Sequence, residues 1–437
     1  MTCQLLLPAP SGTRLPKVSI HLPICNEPPQ NVRETLDALA ALDYDRFEVL
    51  VVDSNTTDPH LWEPVAEHCA RLGPKFRFFT LGKYKGLKAG ALNFALCETA
   101  PDADIIGVID CDHIVAPDWL RAMVPAFADP KLGFAQSPRE SRDADGDAFR
   151  RHMFGEHGAT TLIRKQALNA VQGWAEWCVT EDVELALRLF RAGYAAVYAG
   201  RSFGKSVLPD DFAALRAQRA RGAYGAMRVL RAHAGALLNP FSKALTPGPR
   251  WHFVAGWLPC MGDALGLAFL IMSLAWSIGL ILDPAREVPA ALVLLPFGLF
   301  LFKLAPLFAG RTGAALAGLA LSHGIGKAVW RGLFTSQPPS SRMPKMTGAP
   351  ALARGLAMAR EEFWILLLIW SALLGVGISQ DWATLEVRLW CAMLFIQSLP
   401  YLAAIGVSMF AAMPSHLPKR APWPAAMSAR DGYGRCR

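Results

Sequence analysis

Four apolar stretches in the second half of the chain, near 264–282, 289–309, 363–380 and 387–413, limit the possible folds more than any other feature. Each is long enough to cross a hydrocarbon layer of about 30 Å as a helix. Backbone in hydrocarbon must satisfy its own N–H and C=O groups, so these stretches have to be helical. Residues 1 to about 235 read as a water-soluble unit placed ahead of them. The 52% hydrophobic content of the 437 residues is therefore unevenly spread, as in a membrane protein and unlike a single soluble domain.

A net charge of +8 invites a nucleic-acid reading, but the positions of the basic residues argue against it. Arg216, Arg219, Arg221, Arg228 and Arg231 precede the first span. Arg342, Lys345, Arg354 and Arg360 precede the third, and Lys419, Arg420, Arg430, Arg435 and Arg437 follow the fourth. Basic segments at every even crossing satisfy the positive-inside rule with both ends in the cytoplasm. Lipid headgroups and a substrate diphosphate are the expected partners of this charge, and nucleic acid is not. The opening residues 1–16 lack the charged start and apolar run of a cleavable signal, so the soluble half is expected to stay in the cytoplasm beneath a multi-pass inner membrane region. Nine cysteines without a CxxC pair suggest reduced thiols rather than disulfides or a zinc site.

Within the soluble half, short buried strands alternate with helices. Lys17–Pro23 reads as a strand, a helix follows from Pro28 and Pro29, and Arg46–Asp53 is a second strand ending in a carboxylate. A helix over Pro59–Arg71, a strand over Phe76–Leu81 and a helix over Leu87–Glu98 come next. They lead into the apolar run Asp104 to Ile109, which closes with Asp110-Cys111-Asp112. This alternation predicts a Rossmann-like α/β domain with a mostly parallel sheet, and ligands belong at the carboxyl ends of such strands. Two carboxylates one residue apart at a strand tip suit Mg²⁺ or Mn²⁺, which take a few protein oxygens and complete their shell with phosphate and water. An isolated Asp-x-Asp is more often a solvated turn.

Further motifs reverse that balance. Pro23-Ile24-Cys25-Asn26-Glu27, Asp53, Lys85-Gly86-Leu87-Lys88-Ala89-Gly90-Ala91-Leu92-Asn93, Asp110-Cys111-Asp112 and Thr180-Glu181-Asp182 follow in order over residues 17–235. Gln218-Arg219-Ala220-Arg221 closes the series. Together they resemble family 2 glycosyltransferases, and more narrowly the membrane-bound processive branch that includes bacterial cellulose synthase and related β-glucan synthases. The resemblance implies a GT-A fold and a UDP-sugar donor, with glucose the expected sugar. Glu27, Asp53, Lys88, Asp110, Gln218, Arg219 and Arg221 would then contact the donor, and Asp110 and Asp112 the metal. Asp182, with Glu181 beside it, would be the base that takes the acceptor proton. Read alone, Asp182 is an ordinary acidic residue at a helix start. Trp174 and Trp177 suit stacking on acceptor sugars and suit core packing equally.

Departures from the family concern the acceptor side. Gly222 replaces the family's tryptophan after the Gln-x-x-Arg motif, the segment between Arg142 and Gly158 is short, and membrane helices ahead of the catalytic domain are missing. These leave three readings open: a processive β-glycan synthase, non-processive transfer to a lipid-linked acceptor, and a relative that binds nucleotide sugar without turnover. An accessory subunit is compatible with the first.

The expected organisation is an extension at 1–16, a GT-A domain at 17–235, a membrane region at 236–413 and a basic tail at 414–437. Within the membrane region, 251–262 is expected to lie in the interface, broken from the first span by Pro259. Asp263 falls near the cytoplasmic boundary or else inside the bundle. Lys303 is placed to snorkel, 312–334 reads as an interfacial helix, and 335–350 as a gating loop.

Overall fold

The computed structural model describes residues 2–3, 15–138, 140–141, 159–206, 212–283, 285–308, 312–337 and 351–412. The short segment near 142–158, most of the gating loop and the basic tail lie outside the described residues.

The large sheet is built from β1 (Thr2–Cys3), β2 (Lys17–Ile24), β3 (Phe47–Asp53), β4 (Phe76–Thr80) and β5 (Ala103–Val108), joined by β7 (Leu132–Pro138), β9 (Ala159–Arg164) and β10 (Ala195–Tyr198). Their spatial order is β1-β10-β7-β9-β5-β2-β3-β4. Every pairing is parallel except those of β9, which runs against both β5 and β7. A small second sheet pairs β6 (His113–Val115), β11 (Gly204–Ser206) and β8 (Glu140–Ser141).

Sequence explains the layering. All seven residues of β3 are buried, as a strand covered on both faces requires. Helices α1 (Pro29–Ala40), α2 (Pro59–Leu72) and α3 (Leu87–Glu98) connect the parallel strands. The Asp58 side chain caps α2 by accepting from the His60 backbone N–H at 3.0 Å. Short helices α4 (Trp119–Met123) and α5 (Lys165–Ala170) precede α6 (Glu181–Arg191), whose inner face packs Leu185 and Leu189 against Phe134 and Trp174.

The long helix α7 (Phe212–Ala232), followed by the single turn α8 (Ala234–Leu237), joins the two halves. Beyond it run α9 (Pro247–Leu282), α10 (Ala290–Phe308), α11 (Thr312–Phe334), α12 (Ala351–Met358), α13 (Arg360–Ser379) and α14 (Leu385–Ala412). Four of these, α9, α10, α13 and α14, are long and apolar enough to cross a membrane.

The structure differs from expectation at two places in this region. Pro259 breaks nothing: α9 is continuous over 36 residues, and no separate interfacial piece exists at 251–262. Its first turns are held by the soluble half, where Phe253 packs edge-on against Phe190 with ring centroids 6.3 Å apart, and Trp257 joins the same buried cluster. At about 1.5 Å per residue the helix is roughly 54 Å long, enough to cross the bilayer and still reach the catalytic domain. Asp263 is buried inside the bundle, where the Lys303 ammonium donates to it and to Ser322, so Lys303 does not snorkel. A lysine in apolar surroundings is better neutralised by a carboxylate than stretched to a distant surface. Helix α11, expected at the interface, is not one of the four long apolar helices. Its buried face is packed by α7, α9 and α14, with Ala317, Ala320 and Leu321 against Phe212, Leu215 and Ala404.

Helix α7 is fixed near its start. Arg216 donates from Nη1 to Glu362 Oε1 at 2.8 Å and from Nη2 to the Met358 carbonyl at 2.7 Å. Near its middle, α7 passes so close to the Thr180 side chain that a Cβ built on Gly225 would lie 2.4 Å from Thr180 Cγ2. Gly222, one turn away, has nothing within 4 Å of such an atom. Gly225→Val is therefore expected to lower the thermal midpoint of the detergent-solubilised protein by an amount equivalent to about 1–3 kcal/mol of overpacking. Gly222→Ala is expected to raise it slightly, alanine being better in a helix by up to about 1 kcal/mol. Equal effects from the two substitutions contradict this packing.

Candidate active site

The loops after β3 and β5 and the start of α6 carry the acidic residues singled out in the sequence. Strand β5 ends at Val108, and the chain turns so that Asp110 faces the start of α3 and the start of α6. The turn into α3 depends on Gly86, whose φ of +88° is reserved for glycine and whose missing side chain leaves room for Glu176. Lys88, on the first turn of α3, donates from Nζ to Asp110 Oδ1 at 2.7 Å and lies 3.5 Å from Glu181 Oε1. A cavity of about 110 Å³ opens here, its polar rim formed by Lys88, Asp110, Glu181 and Asp182 and its wall by Gln136, Thr161 and Trp174.

Electrostatics follow from this crowding. Burial opposes the charge on Lys88, and the carboxylates of Asp110, Glu181 and Asp182 outweigh it, holding the ammonium above its ordinary pKa. Burial pushes the Glu181 carboxyl up, against the pull of Lys88. Glu27 is also pushed up, first by burial and then by Asp112 and Asp110, while the Cys111 thiol opposes the shift. Glu27, Cys111 and the two aspartates thus form one acidic neighbourhood.

Not every expected residue reaches the cavity. Asp53 sits at the same end of the sheet, one strand beyond β2, only 1% exposed. It accepts from Thr56 Oγ1 at 2.6 Å and, more weakly, from Thr80 Oγ1 at 3.5 Å. Burial raises its pKa, and the two hydroxyls act against that rise. Asp112 belongs to the Glu27 side of the turn. Gln218 and Arg221 are exposed on α7, and Arg219 lies half-buried beside Cys260, so none of the three lines the cavity. Trp174 is 4% exposed, packed in the core with only the part that lines the cavity wall left open. Trp177 is 45% exposed, with the Arg228 guanidinium over its ring at 5.7 Å, and remains an accessible aromatic surface.

Two supporting groups escaped the sequence reading. Asn93 accepts from the Trp174 N–H at 2.9 Å and donates to the Trp174 carbonyl and to Glu176 Oε1, each at 3.0 Å, clamping the turn before Thr180 onto α3. Asn93 closes the Lys85–Asn93 motif, so its place was visible and its partner was not. Glu184, on α6, accepts from Arg188 Nε at 2.7 Å, and its carboxylate lies 3.0 Å from His233 Nε2. Arg188 in turn donates to the Gly173 carbonyl at 2.8 Å. This ties the helix bearing Asp182 to the end of α7 and to the Trp174 turn.

A Mg²⁺ or Mn²⁺ ion held by one or two carboxylates and completed by phosphate oxygens fits this chemistry. The Lys88 ammonium, 2.7 Å from Asp110, already shows that Asp110 accepts a cation. Among the described residues, no group of three or more His, Cys, Asp or Glu forms an all-protein metal cage.

Comparison with known proteins decides the lineage. Residues 19–188 match the model described as Glycosyl transferase family 2, and residues 146–304 match Glycosyl transferase family group 2. Residues 19–188 thus carry a family 2 glycosyltransferase domain. The chain is 26% identical over 275 residues to Probable glucomannan 4-beta-mannosyltransferase 2 of Oryza sativa subsp. japonica, covering 56% of this chain and 47% of that protein. Identity with Beta-monoglucosyldiacylglycerol synthase of Synechocystis sp. is 32% over 181 residues, 36% of this chain and 37% of the relative. Putative cellulose synthase 2 of Komagataeibacter xylinus is 26% identical, covering 60% of this chain and 18% of its own length. The chain thus spans less than half the length of these curated relatives. Among solved structures, Mannosyltransferase PcManGT from Pyrobaculum calidifontis, in complex with GDP-Man and Mn2+, aligns with a TM-score of 0.54 at 23% identity. The alignment covers 75% of this chain and 90% of that one. This likeness establishes the GT-A fold of the family 2 domain.

The buried Glu184 cluster gives a pH test. Burial opposes ionisation of Glu184, and His233 and Arg188 outweigh it, so its pKa lies below the ordinary 4.5. A carboxylate with a lowered native pKa lends stability that is complete above its unfolded value and is lost as pH falls through the native one. Glu184→Gln is expected to cost roughly 3 kcal/mol at neutral pH, because Arg188 loses its buried counter-charge. It should also flatten the acid limb of a plot of thermal midpoint against pH. Parallel acid limbs in the two proteins contradict the assignment.

Proposed function

We propose that this protein is a membrane-embedded inverting glycosyltransferase that moves a hexose, glucose from UDP-glucose, onto a growing β-glycan. The observation that carries this reading is the meeting of Lys88, Asp110, Glu181 and Asp182 at one cavity on the carboxyl-end side of the sheet. They come from segments far apart in sequence and bring together a cation, a metal-binding carboxylate and a base.

Lys88 stands on the first turn of α3, where the helix's free N–H groups and its own ammonium both favour the donor diphosphate. Asp53, held by Thr56 and Thr80, would contact the nucleoside. Asp110 and Asp112 would hold Mg²⁺ or Mn²⁺, which offsets the charge of the departing diphosphate. Asp182, at the mouth of α6, takes the proton of the acceptor hydroxyl as that oxygen attacks the anomeric carbon from the face opposite the diphosphate. The sugar–phosphate bond breaks in the same displacement, and the configuration inverts. The basic clusters beside the spans favour a cytoplasmic catalytic half at the inner membrane, where nucleotide sugars are at hand.

One observation favours a second reading. The exposed Gly222, with open space around it, offers no stacking surface where processive relatives carry tryptophan, and one relative is named for a glucosyl lipid product. Transfer to a lipid-linked acceptor without chain growth follows from that feature.

The test uses the purified full chain in lipid nanodiscs with a panel of radiolabelled UDP- and GDP-sugars, Mg²⁺ or Mn²⁺, and glycan or lipid acceptors. Transfer from UDP-glucose is expected, and Asp182→Asn should reduce it by at least about 10²-fold with donor affinity little changed. Full transfer by Asp182→Asn, or no diphosphate release with any donor, overturns the assignment. Product length separates the two acceptors.

A further inference from the structure

Strands β5, β9 and β7 lie side by side, and their registers set Val108, Thr161 and Gln136 in one row on one face of the sheet. The next row inward on that face is Ile106, Ile163 and Phe134, apolar throughout and packed with Leu185 and Leu189 of α6. A sheet face covered by helices asks for apolar side chains in both rows. The outer row departs from that at Thr161 and Gln136, and both line the cavity whose rim carries Lys88, Asp110 and Asp182.

Both residues of the pair are half-buried, and they satisfy each other only in part. Gln136 donates from Nε2 to Thr161 Oγ1 at 3.3 Å. An amide oxygen accepts, and a hydroxyl that accepts still has a proton to give, so Gln136 Oε1 and the Thr161 O–H remain for another partner. Among the described residues, no donor reaches Gln136 Oε1. That oxygen is also absent from the sealed polar atoms of the interior, so it opens onto the cavity that Gln136 lines.

A group that donates to the amide oxygen and accepts from the neighbouring hydroxyl is itself a hydroxyl. An ammonium cannot accept from Thr161, and a carboxylate cannot donate to Gln136 and would meet Asp110, Glu181 and Asp182 with like charge. We propose that Gln136 and Thr161 bind one hydroxyl of the hexose being transferred, which makes them specificity-determining residues and restricts the donor to a neutral sugar. The inference rests on the proposed function: a diphosphate at Lys88 and Asp110 and a base at Asp182 bracket the transferred sugar, and this wall belongs to the same cavity. The apolar row behind the pair offers that hydroxyl no competing partner. A site built to pair with a hydroxyl rejects an analogue lacking it, because its own polar groups are then left unpaired.

The experiment uses the full chain in lipid nanodiscs with Mn²⁺ and no acceptor. Calorimetry measures the dissociation constants of UDP, of UDP-glucose and of the monodeoxy analogues of UDP-glucose. Wild type is expected to bind UDP-glucose roughly tenfold more tightly than one of the analogues, about what one paired hydroxyl supplies. Gln136→Leu and Thr161→Val should each erase most of that preference, both at the same ring position. Their affinity for UDP, which carries no sugar, should match wild type and so report a folded site. Equal affinity of wild type for every analogue means that the pair only holds water, and overturns the proposal. Loss of preference at different positions in the two variants, or an effect confined to the acceptor's KM in transfer assays, overturns it as well. If wild type binds no nucleotide sugar, the proposed function falls and this inference with it. If wild type binds and transfers sugar while Gln136→Leu discriminates among the analogues as wild type does, only this inference falls.

Discussion

The ion cluster of Lys88 with Asp110, Glu181 and Asp182 is the interaction on which the rest of the arrangement turns. Among the described residues that line the cavity, Lys88 is the cation that meets the carboxylates of Asp110, Glu181 and Asp182, and contact between opposite signs holds the cluster together. A divalent ion held by the same turn would give a diphosphate both the metal and the lysine to bind. The fold serves this by bringing β5, α3 and α6 to one end of the sheet, with Gly86 giving α3 its turn and Asn93 fastening the segment that leads to Thr180.

Asp182, near the start of α6, is only as well placed as α6 itself. The helix is held from three directions: by Glu184 through Arg188 and His233, by the close passage of α7 at Gly225, and by the hydrophobic contact of Leu185 and Leu189 with Phe134 and Trp174. Helix α7 is in turn anchored in the membrane half through Arg216, Glu362 and α11. Helix α6, the linker helix α7 and the apolar helices beyond it are therefore packed as one unit.

Local patterns in the chain were sufficient for the α/β domain. The boundaries of α3 at Leu87 and Glu98 and the near-complete burial of β3 follow from short-range signals, and the carboxylates were recognisable because strand ends carry ligands. What escaped detection depended on distant partners. Pro259 reads as a helix breaker until Phe253 and Trp257 are seen to be held by the soluble half. Lys303 reads as a snorkelling cation because Asp263, 40 residues away, is its partner only after folding. Trp174 carries the same side chain as Trp177, yet one fills the core and the other meets solvent. Glu184 and His233 are 49 residues apart with no motif joining them. The Gln218–Arg221 motif was legible as a family mark, but its distance from the cavity was not.

The account rests on where the donor diphosphate binds, and the most direct measurement is a structure of the full chain with UDP and Mn²⁺, using the anomalous signal of manganese. The predicted result is a manganese peak between the diphosphate and the Asp110–Asp112 turn, with the Lys88 ammonium moved from Asp110 onto a phosphate oxygen. Manganese and diphosphate bound together at any other face of the sheet, with the Lys88–Asp110 pair unchanged, contradict it.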